Sequence, residues 1–209
     1  MLKWIITTTK QTSIFIILFT IITGCLYPSA ITLLGRLLFQ QKRDGCLLYR
    51  DDVIVGSELI GQNFTADKYF WGRPSASIGY PYNAMYSAGS NFGVRNAEYL
   101  AIVKQRIARI KKTHSDDNKL LPLDLITASA SGLDPHISIL GAYYQIQRIA
   151  KARKISVLEI SDLIERNAIK SIIPFLGESR VNVLLLNLGL DKISVDYGIR
   201  LNGQSENKS

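Results

Sequence analysis

Cysteine and histidine are scarce in this 209-residue chain, with two of each. Cys25 and Cys46 form at most one bridge, which excludes a disulfide-stapled scaffold. Together with His114 and His136 they cannot close a four-ligand Cys/His zinc site without carboxylates, so no metal ligands are assigned. The phosphate-binding pattern G-x-x-x-x-G-K-[ST] is missing, as are a dinucleotide fingerprint after a strand and the phosphorylatable tetrapeptide Asp-Lys-Thr-Gly. The chain is therefore expected neither to hydrolyse ATP by itself nor to hold a cofactor of its own. Charge is sparse too, at 20% of residues against 47% hydrophobic, a balance that supports a packed core rather than disorder. The excess of 25 Lys and Arg over 17 Asp and Glu gives a net charge of +8. No helix concentrates it on one face, which argues against nucleic-acid binding and for a membrane-adjacent or complex-bound surface.

Acidic residues are absent before Asp44, and no charge of either sign lies between Lys10 and Arg36. At about 1.5 Å per residue that gap could reach roughly 37 Å as a helix, against about 30 Å for a bilayer's hydrocarbon core. Residues 13–34 are read as one transmembrane helix in contact with lipid, with Pro28 as a tolerable kink. Residues 1–12 form a short N-terminus, 35–193 a single soluble domain and 194–209 a polar tail. A rival reading takes Lys3 and Lys10 as a basic n-region, residues 14–22 as a signal core, and Ile22-Thr23-Gly24-Cys25 as a lipoprotein cleavage box. Apolarity continuing past Cys25 favours the spanning helix. Flanking charges, Lys3 and Lys10 before against Arg36, Lys42 and Arg43 after, do not fix the orientation.

The soluble part reads as α+β, with a small antiparallel sheet and three to four helices. Apolar runs at 46–49 and 53–56 around Arg50-Asp51-Asp52 predict a β-hairpin. Residues 64–96 form a long Gly-, Pro-, Ser- and Asn-rich segment holding Phe64, Tyr69, Phe70, Trp71, Tyr80, Tyr82, Tyr86 and Phe92. Such a loop either packs over its own domain or displays rigid rings to a partner. Asn96 caps a predicted helix with an apolar stripe of Leu100, Val103, Ile107 and Ile110. Residues 111–119 read as a solvated connection with His114 exposed. Asp134-Pro135 reads as a helix start. The helix behind it carries Ile139, Ala142, Tyr143, Ile146, Ile149 and Ala150 on its core face, with Gly141, Gln145 and Arg148 on another. Ser156 and Glu159 predict a capping box, and 180–190 a last helical or mixed segment. There are no internal repeats.

The densest cluster of chemical groups is residues 124–138, with Asp124, Ser129, Ser131, Asp134, His136 and Ser138. Three readings stay open: a hydrolytic triad, which requires the base beside the nucleophile; an anion cradle running into a helix N-terminus; and a loop locked by its own hydrogen bonds.

The same stretch carries a resemblance. Thr127-Ala128-Ser129-Ala130-Ser131-Gly132-Leu133-Asp134-Pro135-His136-Ile137-Ser138 is similar to the signature of the C-subunit family of Kdp potassium-transporting ATPases. So are Gly56-Ser57-Glu58-Leu59-Ile60-Gly61-Gln62-Asn63-Phe64, Tyr69-Phe70 with Arg73-Pro74-Ser75-Ala76, and Tyr82-Asn83 with Ser87 and Gly89-Ser90-Asn91. Tyr27-Pro28, Gln145, Arg148, Ala150, Arg153, Val181-Asn182-Val183-Leu184, Leu186-Asn187 and Leu190-Asp191 extend it over nearly everything from the apolar helix to Asp191. Cys25, Cys46, Ala130 and Ile139 depart from the family's usual residues, and the tail has no clear counterpart.

The resemblance implies a non-catalytic accessory subunit of an ATP-driven K⁺ importer in the bacterial inner membrane, with the N-terminus inside and the domain periplasmic. Its partners would be a channel-like K⁺-binding subunit, an ATP-hydrolysing P-type subunit and a small single-helix subunit, so that ATP and K⁺ enter only through partners. It further implies a role in assembly and one as a catalytic chaperone raising the ATP affinity of the hydrolysing subunit. The nucleotide or partner contacts would be Ser129, Ser131, Gly132, Gln145 and Arg148. Tyr69, Phe70, Arg73, Tyr82, Asn83, Tyr86 and Asn91 are the corresponding partner-interface candidates. The alternatives without nucleotide contact are a periplasmic lid or ion-entry element on the channel-like subunit and, more remotely, a membrane-anchored lipoprotein hydrolase.

Overall fold

The apolar N-terminus becomes one long helix in the computed structural model, which describes residues 1–93, 95–114, 120–171 and 177–206, with side chains as far as 194. Helix α1 (Leu2–Ile21) passes through a π-helical turn (Ile22–Leu26) into α2 (Tyr27–Leu38). This 37-residue run outlasts the 13–34 span at both ends. Near the start the threonines do not break it, because their hydroxyls bond backward to the helix, Thr7 to the Lys3 carbonyl and Thr9 to that of Ile5, both at 2.9 Å. Pro28 explains the π-turn: its ring would strike the carbonyl four residues back and it offers no N–H, so the preceding turn widens rather than ends the helix. Cys25 lies inside this turn. No side chain of the run's most apolar stretch is covered by the rest of the chain. A short helix α3 (Gln40–Arg43) closes this first unit, Met1–Leu47.

The second unit starts at Leu48. The hairpin forms as expected, with β1 (Leu47–Arg50) and β2 (Val53–Ser57) joined by Asp51 and Asp52. Both aspartates have positive φ, 51° and 62°, the type I′ geometry whose twist matches that of the flanking strands. Helix α4 (Ala97–Thr113) is capped by Asn96, whose side-chain oxygen accepts from the Tyr99 N–H at 3.0 Å. Ile110 is buried and Val103 and Ile107 pack against the core, but Leu100 is exposed. Of the expected 111–119 connection, residues 115–119 lie outside the described residues.

The region after Asp134 differs from the expected helix. A short 3₁₀ turn (Leu123–Leu125) is followed by strand β3 (His136–Ser138), and helix α5 (Ile139–Arg153) begins only afterwards, capped by Ser138. Pro135 pushes its predecessor towards extended backbone, and Ile137 finds burial in a sheet instead. Asp134 still binds a nearby backbone donor, the His136 N–H at 3.0 Å, but as a turn rather than a helix cap. Helix α6 (Val157–Arg166) is capped by Ser156 at the Leu158 N–H, while the Glu159 Oε2 atom is buried without a hydrogen-bond partner, so the reciprocal half of the capping box is not made through it. Strand β4 (Ala168–Ile169) precedes β5 (Arg180–Asn182) and helix α7 (Val183–Glu206), which resolves the mixed segment and carries helical backbone into the expected tail.

The sheet order is β3-β5-β4, antiparallel throughout, with His136 opposite Asn182 and Ala168 opposite Val181. Ile137 and Val181 turn inward onto Ile146, Ile149, Ile160, Ile164, Leu186 and Leu190 from the three helices α5 to α7. This is the α+β class read from the sequence. Tyr143, placed on the core stripe by spacing, instead points outward and donates to Glu165 at 2.6 Å.

Candidate functional site

The aromatic segment crosses the helical core without becoming a strand, so its buried backbone groups need other partners. Two side-chain amides supply them. Asn187 on α7 accepts from the Phe70 N–H at 2.8 Å and donates to the Phe70 carbonyl at 3.0 Å. Gln145 on α5 does the same one residue on, accepting from the Trp71 N–H at 2.8 Å and donating to its carbonyl at 3.1 Å. Each amide reproduces the two-point pairing of a neighbouring strand, and both are fully or almost fully buried.

Gln145 also donates to the Gly141 carbonyl and accepts from Arg148 at 2.8 Å, which fills the four hydrogen-bonding positions of its amide. Arg148, 7% exposed, also donates to the Asp67 carbonyl and to Nε2 of His114. Its guanidinium stacks 4.2 Å from the Trp71 ring centre. Burial lowers its pKa to about 10. His114, expected to be exposed, is buried between Trp71 and Tyr144, with Nδ1 on the Ile110 carbonyl. That carbonyl requires the proton on Nδ1, leaving Nε2 to accept from Arg148, so the ring is neutral. Burial, with the Arg148 charge, holds its pKa below the ordinary value. The polar sequence around His114 gave no sign of this.

The other candidates fall into two sets. Tyr69 donates to Asp191 at 3.3 Å beneath the Arg153 guanidinium, which itself pairs with Asp191 at 2.8 Å. Phe70 is core. Arg73 pairs with Asp134 at 3.2 Å. Burial alone would push the Asp134 carboxyl up, but the His136 hydrogen bonds and Arg73 outweigh it and hold it low. Tyr82 lies half-buried against Gly61, donates to the Arg73 carbonyl, and burial pushes its phenol up to about 12. A Cβ on Gly61 would stand 2.3 Å from that ring, so only glycine fits beneath it. These residues hold the segment to its own domain.

The outer turn of the segment is different. Asn83, buried, donates to the Ile78 carbonyl at 2.9 Å and accepts from the Met85 N–H at 3.1 Å. Ser77 donates to the Tyr80 carbonyl at 3.0 Å and accepts from the Asn83 N–H. This ordered turn displays Ile78, Tyr80, Met85 and Tyr86 at 66%, 60%, 81% and 54% exposure. Asn91 is exposed with positive φ. Of the expected interface residues, only Tyr86 and Asn91 are thus outward-facing. Ile78 and Met85 join Tyr86 although they drew no notice in sequence, where they are lone apolar residues in a polar segment.

In the 124–138 cluster, Ser129 and Gly132 are buried and Ser131 is exposed. Gly132 has φ +69°, and a Cβ there would meet the Ala88 carbonyl at 2.7 Å. Ser131 Oγ accepts from the Leu133 N–H at 3.1 Å, and no described hydrogen bond joins it to His136, so nucleophile and base are not coupled. The loop runs into β3 rather than into a helix N-terminus, which removes the basis for a helix-end anion cradle. Nor does any described hydrogen bond join residues 129–132 to Gln145 or Arg148.

Among the described residues one long apolar helix precedes an α+β domain, an arrangement that fits a membrane-anchored domain protein. The family model for the K⁺-transporting ATPase c chain, KdpC, matches residues 9–192. The potassium-transporting ATPase KdpC subunit of Methylococcus capsulatus is 45% identical over 184 residues, covering 88% of this chain and 97% of its own. That of Polynucleobacter asymbioticus is 50% identical over 175 residues, covering 84% and 93%. That of Serratia proteamaculans is 47% identical over 184 residues, covering 88% and 97%. The chain belongs to the KdpC family and is an accessory subunit of a potassium-importing ATPase complex.

Proposed function

We propose that this subunit works by assembly rather than by chemistry of its own. Residues 13–34 of the long helix span the inner membrane with the N-terminus inside, and the domain stands on the periplasmic side. There the outer turn presses on the channel-like subunit near the external mouth of its ion path, with the ATP-hydrolysing and small single-helix subunits completing the complex. One observation carries this reading: Ile78, Tyr80, Met85 and Tyr86 are displayed on a turn already fixed by Asn83 and Ser77. Exposed apolar groups on pre-ordered backbone bind a partner without a large ordering penalty.

A direct ATP contact through Gln145 and Arg148 requires both to abandon the partners that hold Trp71, whereas the assembly reading moves neither. An effect on the ATP affinity of the hydrolysing subunit is then transmitted through the complex. The test is co-purification of the partner subunits with a Met85→Ser/Tyr86→Ser chain. Partner yield at least several-fold lower, with the variant still inserted in the membrane, is the expected result; undiminished yield rejects the docking role.

A further inference from the structure

We propose that a cleft between the aromatic segment and α4 binds a carboxylate-headed ligand with a short apolar body. The cleft, of about 230 Å³, is floored by Ile110, Leu125 and Phe64 and rimmed by Arg73, Arg106 and Arg109. Among the described residues no Asp or Glu lines it. Arg73 is neutralised by Asp134, but its Nε is buried without a hydrogen-bond partner. Arg106 spends Nη1 on the Ile126 carbonyl and has no ion pair among the described residues. Arg109 lies 5.4 Å from the Trp71 ring centre in a cation–π contact, and no described hydrogen bond uses its guanidinium.

Arg106, with no ion pair among the described residues and with Ile110 and Leu125 beside it in the cleft, is an electrostatic burden on the free domain, because burial makes its charge harder to hold. A carboxylate relieves it. The contact with the Trp71 ring keeps the Arg109 guanidinium beside the cleft, and its N–H groups, which no described hydrogen bond uses, suit paired bonds to one oxyanion. The apolar floor then discriminates against a bare anion, as convergent polar groups over an apolar surface do in small-ligand sites generally. The source is a free organic acid or the C-terminal carboxylate of a peptide chain.

The test titrates the full-length chain in detergent with benzoate, benzamide, and an acetylated tripeptide ending in leucine with a free carboxyl. We expect saturable binding of benzoate or the tripeptide, with benzamide at least about tenfold weaker, the scale of one charge-assisted contact. Arg106→Gln/Arg109→Gln should lose at least about tenfold in affinity, and Lys104→Gln on the same helix less than about twofold. Because Arg109 is exposed, Arg109→Gln alone serves should the double variant melt early. A preference for the tripeptide assigns a chain end, and a preference for benzoate a solute. Benzamide equal to benzoate, Lys104→Gln as damaging as the arginine changes, or no saturation below about 10 mM would each overturn the site.

Discussion

The two halves of the aromatic segment differ in where their polar groups go. At Phe70 and Trp71 the backbone is paired outward, to side chains on α7 and α5, so this half is part of the core. In the outer turn the bonds close within the segment, through Ser77 and Asn83, and the side chains of Ile78, Tyr80, Met85 and Tyr86 are left to solvent. Composition is alike in both halves; anchoring is not. Tyr69, Phe70 and Trp71 are structural elements, as is Tyr82 against Gly61, whereas Tyr80 and Tyr86 on the outer turn are available to a partner.

The sharpest break in that contrast comes from Gln145→Ala. It orphans both backbone groups of Trp71 and a donor of Arg148 beside a fully buried position, and should lower unfolding stability by about 3 kcal/mol or more. Urea denaturation of the full-length chain in detergent, followed by tryptophan fluorescence, reads it. Gly132→Ala should remove about 2 kcal/mol in the same assay, through the left-handed backbone and the contact with the Ala88 carbonyl.

His114 sharpens the comparison through pH. Its folded-state pKa lies below the ordinary 6.5, so at a given pH below that value the unfolded chain binds more protons. The stability it contributes is complete above about 6.5 and is lost as pH falls through the depressed value. Protonation also places a proton on Nε2, against the Arg148 donor. Melting temperature should therefore fall between neutral pH and the depressed pKa, and His114→Gln should flatten that slope while lowering stability at neutral pH. The smallest effect belongs to the outer half: Tyr86→Ser should change stability by less than about 0.5 kcal/mol, because its side chain is mostly in solvent.

Much of this was legible in the chain. The charge gap announced the long helix, Asp51-Asp52 between apolar runs gave the hairpin, and Asn96 and Ser156 marked their helix starts. Asp134-Pro135 misled because a carboxylate before proline serves a turn as well as a cap, and only the distant pairing of Ile137 with Val181 decides between them. Gln145 and Arg148 stood out correctly as a separate face of α5, but spacing does not reveal what a face meets. Their partners are the backbone of Trp71 and the ring of His114, 74 and 34 residues away in sequence. The docking candidates Ile78 and Met85 were invisible for a related reason: exposure of a lone apolar residue is set by the turn that carries it.

Hydrogen exchange on the chain alone and within the assembled complex tests the central claim most directly. Residues 78–86 should gain protection on assembly while the amides of Phe70 and Trp71, already held by Asn187 and Gln145, stay unchanged. Unaltered exchange at 78–86 in a complex that contains the subunit would contradict the account.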